Sequence, residues 1–270
     1  MVCDRLLVGG SSPLIRRESR HPFTSYTLLV LFLTLIGTPI EAADLHVSAT
    51  KNLKGIFIEI SELFENKHSD WKVKLRTGKS GELAKLITSG TSTDLFLLND
   101  EKTIRELQRK KKIQNVKRFL ADDLVVVGAA TSKLEINDPA KLAFPELKGV
   151  ALYAEKHPIG KVSREYLKKI KLLDAVNAKV SIKKNTKEVL KAVMSAEADW
   201  GIVYASDIVH AKGIKVLWKI PEQDVSSQVY FVGTVTKSQN QEAARLFLET
   251  LNSTIAIKIF ENSGLRALKN

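Results

Sequence analysis

At 270 residues, with a formal net charge of +12 and one cysteine, Cys3, the chain is too long for a small disulfide-stapled scaffold and has no second thiol to pair. The length allows one large domain or two lobes with separate cores. The basic balance leaves three partner classes open: nucleic acid, an anionic membrane surface, or small anions.

Taken in chain order, Arg16, Arg17 and Arg20 precede an apolar run from Tyr26 to Ile36, followed by the helix breakers Gly37 and Pro39 and the small residues Ala42 and Ala43. About a dozen apolar residues fall short of the roughly 20 that a membrane span needs, but match the apolar region of a secretory signal. Residues 1–42 are therefore read as a cleaved signal peptide, with a retained membrane anchor as the alternative. Cys3 precedes the apolar run, so it is not placed as the lipid-bearing cysteine of a lipoprotein. Four basic and three acidic residues lie in residues 1–43, which leaves the remainder at +11, one less than the whole chain. A secreted chain without disulfides must be held by its core, which fits a Gram-negative periplasm.

Beyond Asp44 strands and helices alternate. Leu45 to Ala49 reads as a strand; Ile56, Ile60, Leu63 and Phe64 recur at helical spacing between Gly55 and Asn66; Trp71 to Arg76 alternates with period two. A helix from Gly81 to Ser89 leads to a buried-type strand, Thr93 to Asn99, and then to a charged helix ending near Arg109 to Lys112. The strand Asp123 to Thr131 is followed by an irregular stretch with Pro139 and Pro145. A second series starts at Val150 to Ala154, with helices near Lys161 to Ile170 and Lys187 to Ser195, and strands Gly201 to Ala205 and Ile214 to Ile220. The strand Gln228 to Val235 precedes two last helices, Gln239 to Leu251 and Thr254 to Glu261. Such alternation implies parallel sheets with helices on both faces. The expected division is residues 43–124 plus 230–270 in one lobe and 125–229 in the other, with crossings near Asp122 to Val127 and Gln228 to Val232 that serve as a hinge.

The stretch RTGKSGELAKLI, Arg76 to Ile87, turns a strand into a helix through a glycine corner. Free N–H groups at the positive end of a helix dipole welcome an anion. A nucleotide-phosphate loop would also require glycine five residues before Gly78, and Val73 stands there. Similar corners follow other strands, in SATKN, AEKHPIGK, KKNTK and YASD. Ligands of open α/β sheets bind at such carboxyl ends of strands.

An enzyme is disfavoured: His21, His46, His68, His157 and His210 lack zinc-ligand spacing, and neither a nucleophile elbow nor a usable cysteine is present. A nucleic-acid binder would rest on RKKKIQNVKR, which lacks the interleaved aromatics of a strand-binding platform and reads as a solvated helix end. No resident cofactor and no metal cation are expected.

In the order and spacing of ADLHVSATKNLK, SGELAKLITSGTSTDLFLLNDEK, HPIGKVSREYLKKIKLLDAV and EADWGIVYASDIVHAKGIKV, the sequence resembles the periplasmic molybdate-binding proteins of ABC importers. The resemblance implies an α/β, two-lobed periplasmic-binding-protein fold of type II, each lobe a mostly parallel sheet flanked by helices, with two crossover segments. It implies a monomer that passes molybdate or tungstate to a membrane permease and binds no nucleic acid. Carried over by position, the ligand donors fall on Asn52, Ser80, Ile159, Thr186 and Tyr204, with backbone N–H groups at Ile159 and Thr186. Lys51, Lys79 and Lys161 stand where the resemblance implies small or neutral residues, and are read as electrostatic steering groups. Sulfate and phosphate remain alternatives, Glu155 and Asp207 being able to accept the proton of phosphate. Ser80, Asn52 and Thr186 are equally suited to capping helices, and Tyr204 to half-burial in a core.

Overall fold

The computed structural model describes residues 42–268. The expected signal peptide lies outside the described residues except for Ala42. Among the described residues, no helix is long and apolar enough to cross a membrane.

Two sheets organise the chain. The first contains β1 (Ala43–Thr50), β2 (Trp71–Gly78), β3 (Leu95–Leu98), β4 (Ile113–Asp122), β10 (Gln228–Val235) and β11 (Leu265–Ala267), in the order β11-β4-β10-β3-β1-β2. The second contains β5 (Leu124–Ala129), β6 (Val150–Tyr153), β7 (Val180–Lys183), β8 (Trp200–Tyr204) and β9 (Ile214–Lys219), in the order β7-β6-β8-β5-β9. β2 and β3 run parallel to β1, whereas β10 is antiparallel to β3 and β4. In the second sheet β7 and β8 run parallel to β6, while β5 is antiparallel to β8 and β9. Each sheet thus keeps a common direction for most strands; the reversed ones are β10 and β11 in the first sheet and β5 in the second, and β10 and β5 lie beside the crossings.

Both faces of each sheet are covered, which is why β3 reads as an unbroken apolar run, LFLL, with every residue buried. One face of the first sheet packs against α1 (Lys54–Lys67), α7 (Gln241–Leu251) and α8 (Thr254–Asn262) through Leu45, Val47, Phe57, Phe64, Phe247 and Phe260. The Phe64 and Phe247 rings meet edge-on at 5.1 Å. The other face buries Phe96 and Leu98 under Leu83 and Ile87 of α2 (Ser80–Ser89) and Ile104 and Leu107 of α3 (Glu101–Arg109). The second sheet is likewise sandwiched: α4 (Pro158–Lys169) and α5 (Leu173–Asn177) contribute Ile159, Tyr166, Leu167 and Val176 on one side. α6 (Thr186–Met194) contributes Val189 and Val193 on the other. Each such fully buried side chain stabilises the fold by roughly 1.5–3 kcal/mol before ordering costs.

Local signals set the helix ends. Asp100, Asn185 and Ser253 accept N-terminal N–H groups of α3, α6 and α8, and α2 stops at Gly90, whose φ of 82° suits glycine. The 3-10 turn Pro139–Ala143 lies in the proline-marked irregular stretch, where Leu142 O accepts from Trp200 Nε1 at 3.1 Å.

The structure corrects one segment. The basic run begins at the end of α3 as expected, Arg109 being its last residue, but from Ile113 it enters β4, a ten-residue strand against β10. Two register shifts interrupt this pairing, and Asn115 has a φ of 53°, so the alternation that marks a strand is broken within it. The short β7, β11 and α5 also escape the sequence pattern, each being too brief to show a period.

Candidate functional site

The carboxyl ends of β1, β2 and β3 lie side by side: Thr50 is in register with Gly78, and Ala49 with Leu97. β1 leads into a 3-10 turn, Lys51–Leu53, that carries Asn52. Asn52 is exposed, and its Nδ2 donates to the Tyr230 hydroxyl of β10 at 2.5 Å. Ser80 is buried at the start of α2, behind Lys79 in the N-cap position. Its hydroxyl donates to Asn99 Oδ1 at 3.0 Å and accepts from the Asn99 N–H at 3.2 Å, so it ties α2 to the end of β3 instead of capping its helix. Asn99 O in turn accepts from Gln228 Nε2 at 2.7 Å. Both first-sheet corners therefore reach β10, the strand at the crossing.

Sequence reasoning overlooked Thr50 in favour of Asn52. Thr50 is only 4% exposed, and its Oγ1 has no hydrogen-bond partner among the described residues. Buried hydroxyls are nearly always partnered, by protein, water or ligand, so this orphan at the carboxyl end of a parallel strand makes Thr50 a candidate donor. The signal was legible as a hydroxyl residue ending an apolar strand.

On the second sheet, Thr186 opens α6 and Tyr204 ends β8. Thr186 Oγ1 donates to Asp207 Oδ2 at 3.1 Å and is hydrogen-bonded to the Tyr153 hydroxyl at the end of β6. The Tyr204 N–H donates to the same Asp207 oxygen at 3.3 Å. Thr186 thus spends its hydroxyl proton inside the protein, which leaves its backbone N–H as the group to offer a ligand. Asn185, not Thr186, caps α6, accepting from Glu188 N at 3.0 Å. Ile159 is buried in the first turn of α4, behind Pro158, where N–H groups have no partner within the helix. That turn lies hard against the end of β6: a Cβ on Gly160 would come within 2.1 Å of Ala154 O, so only glycine fits. Arg164 braces it by donating to Tyr153 O and Gly160 O, both at 2.8 Å.

The two halves meet electrostatically. Burial raises the Tyr204 hydroxyl above its ordinary value, reinforced by the carboxylates of Asp122 and Asp207 and by Tyr153. Burial also raises Tyr230, as do Asp122, Tyr204 and Asp207, against the bond from Asn52. These hydroxyls therefore remain protonated donors at physiological pH. A crevice of about 600 Å³ opens between the sheets beside this region, lined by Asn99 and Gln228 from one side and Pro158 and Glu222 from the other. Of the lysines, Lys161 lies 3.9 Å from Glu165, while Lys51 and Lys79 are exposed and form no ion pair among the described residues. No cluster of metal-ligating side chains occurs among the described residues. The set combines hydroxyl and N–H donors, which suit an anion, with the Asp207 carboxylate at the second-sheet corner.

Comparison with known proteins agrees with this architecture. The substrate-binding domain assigned to a molybdenum ABC transporter of Clostridium difficile superposes with a TM-score of 0.80 at 32% identity, over 84% of this chain and all of that one. The molybdate-binding protein ModA of Escherichia coli is 29% identical over 231 residues, 83% of this chain and 89% of its own. ModA of Haemophilus influenzae is 26% identical over 232 residues, 84% and 91% of the respective chains. The model describing bacterial extracellular solute-binding proteins matches residues 45–266, from β1 into β11, and the chain belongs to that family.

Proposed function

We propose that the protein is the substrate-binding component of an ABC importer, that it captures molybdate or the similarly shaped tungstate, and that it delivers the anion to a membrane permease as a monomer. The observation that carries this reading is the buried, unpartnered hydroxyl of Thr50 at the carboxyl end of β1, in register with Gly78 at the corner that opens into Ser80. A tetrahedral dianion without a proton is satisfied by donors alone. Each hydrogen bond to it contributes roughly 1.5–3 kcal/mol, so a handful support sub-micromolar affinity after ordering costs. Thr50 and Tyr204 supply hydroxyls, Ser80 supplies its own once it turns from Asn99, Ile159 and Thr186 supply backbone N–H groups, and Asn52 orients Tyr230 or turns to the ligand.

The two sheets are read as lobes, 43–124 plus 230–270 and 125–229, closing on the anion about the crossings at Asp122 and Gln228. Residues 1–42 are read as the signal that sends the chain to the periplasm. Lys51, Lys79 and Lys161 speed capture by their field. Binding of nucleic acid has no part in this reading.

Asp207 and Asp122 favour a second reading, a protonated oxyanion such as hydrogen phosphate, because a carboxylate can accept its proton. Calorimetric titration of residues 43–270 with molybdate, tungstate, sulfate and phosphate separates the two. Tight binding of molybdate and tungstate is expected; a preference for phosphate would favour the second reading, and no heat with any of the four would sink both.

A further inference from the structure

Asp122 is the last residue of β4 and is 1% exposed. Both its oxygens accept from a single residue across the crossing: Oδ2 from Ser206 Oγ at 2.6 Å and Oδ1 from Ser206 N at 3.1 Å. Its place follows from the pairing. Leu120 is opposite Tyr230 in the first sheet, Leu124 is opposite Tyr204 in the second, and Asp122 lies midway between them along the chain. It therefore occupies the joint between the two site tyrosines.

No cation pairs with it among the described residues. The next residue, Asp123, is held by Nε and Nη2 of Arg266, at 2.8 and 2.9 Å, and by Ser227. Arg266, from β11, spends its remaining charge on Glu222 at 3.0 Å. From the turn after β8 comes Asp207, another carboxylate, and from β8 and β10 the neutral hydroxyls of Tyr204 and Tyr230. Just before β11 the chain is pressed onto the same turn at Gly264, whose φ of 77° disfavours a side chain and where a Cβ would come within 2.7 Å of Ala205 O. A carboxylate shut in this way, with one serine as its whole support, ionises at a cost.

Resting on the anion-binding reading above, we propose that Asp122 is a proton-linked residue of the binding site: it takes up a proton when the oxyanion enters, so that affinity falls as the pH rises through the range in which Asp122 ionises. Burial lifts Asp122 to about 7, against the Ser206 bonds, with Asp207 and Asp123 adding to the rise. A dianion between Tyr204 and Ser80 is a further negative charge near the joint and lifts it higher. Between the ligand-free and ligand-bound values the complex holds more protons than the free protein, so binding weakens as pH rises there. One linked proton sets the limit at about tenfold in affinity per pH unit.

The test is calorimetric titration with molybdate, which stays divalent and unprotonated from pH ~6.5 to ~8.5, in two buffers of different ionisation heat. The expected results are uptake approaching one proton and a several-fold loss of affinity across that range. In Asp122→Asn the uptake should vanish and the profile flatten; in Ser206→Ala, which removes the hydroxyl that favours the ionised form, the fall should move to higher pH. If Asp122→Asn fails to fold, wild type and Ser206→Ala decide. Wild type that binds molybdate with no proton uptake and a flat profile overturns the proposal and leaves the anion reading intact, as does an unchanged profile in Asp122→Asn. A protein that binds no oxyanion at any pH overturns both.

Discussion

The two sides of the cleft present similar groups in different surroundings. At the first sheet Thr50 has an unspent hydroxyl, and Ser80 is tied only to the neutral Asn99. At the second, Thr186 and Tyr204 share the carboxylate of Asp207, and Asp122 stands at the joint behind them. One side is ready for an anion as it stands; the other must have its negative charge relieved by protonation before it is equally favourable. The difference separates affinity, set by donors at β1 and α2, from its modulation, set by acids at the crossing.

The largest effect expected from this contrast is on stability. Asp122 is raised to about 7 from an ordinary 3.8, so the unfolded chain sheds its proton first. The stabilisation is complete below pH ~4 and is lost as pH rises through about 7, an upper bound of about 4 kcal/mol. Urea unfolding of Asp122→Asn should lack that loss and show a smaller fall in stability between pH 5 and pH 8 than wild type; equal falls would mean that the acid side is not under electrostatic load.

On the donor side, Thr50→Val should weaken molybdate binding by about 1.5–3 kcal/mol, roughly ten- to a hundredfold in Kd by calorimetry, and Ser80→Ala by less, because the Ser80 hydroxyl must first give up its bond to Asn99. Thr186→Val sharpens the contrast, because its hydroxyl already serves Asp207: the loss should be less than about 1 kcal/mol. A Thr186→Val penalty as large as that of Thr50→Val would erase the distinction between the sides. Smallest is the steering term. Replacing exposed Lys51 and Lys79 with Gln should slow association a few-fold at low salt, and the difference should vanish in stopped-flow runs at about 0.5 M salt.

Much of this was legible in the residues. Period-two and period-3.6 patterns located β1, β2, α1, α2 and both final long helices, whereas Ser80, Ile159, Thr186 and Tyr204 were named only through the resemblance to molybdate-binding proteins. β4 was not legible, because its register shifts against β10 break the alternation and its start is crowded with lysines. Thr50 was passed over for Asn52 because both stand at one corner, and only burial distinguishes an orphaned hydroxyl from an exposed amide already bonded to Tyr230.

Asp122 shows the boundary most clearly. The chain itself determined that strands alternate with helices and that donor-rich corners end the strands, since these follow from local periodicity and backbone preference. Only the tertiary structure decided that Asp122 would be buried beside Ser206, 84 residues away, with Arg266 already claimed by Asp123. Charge cost depends on which groups share a dry space, and that is settled by the packing of distant strands at the joint, not by neighbours along the chain.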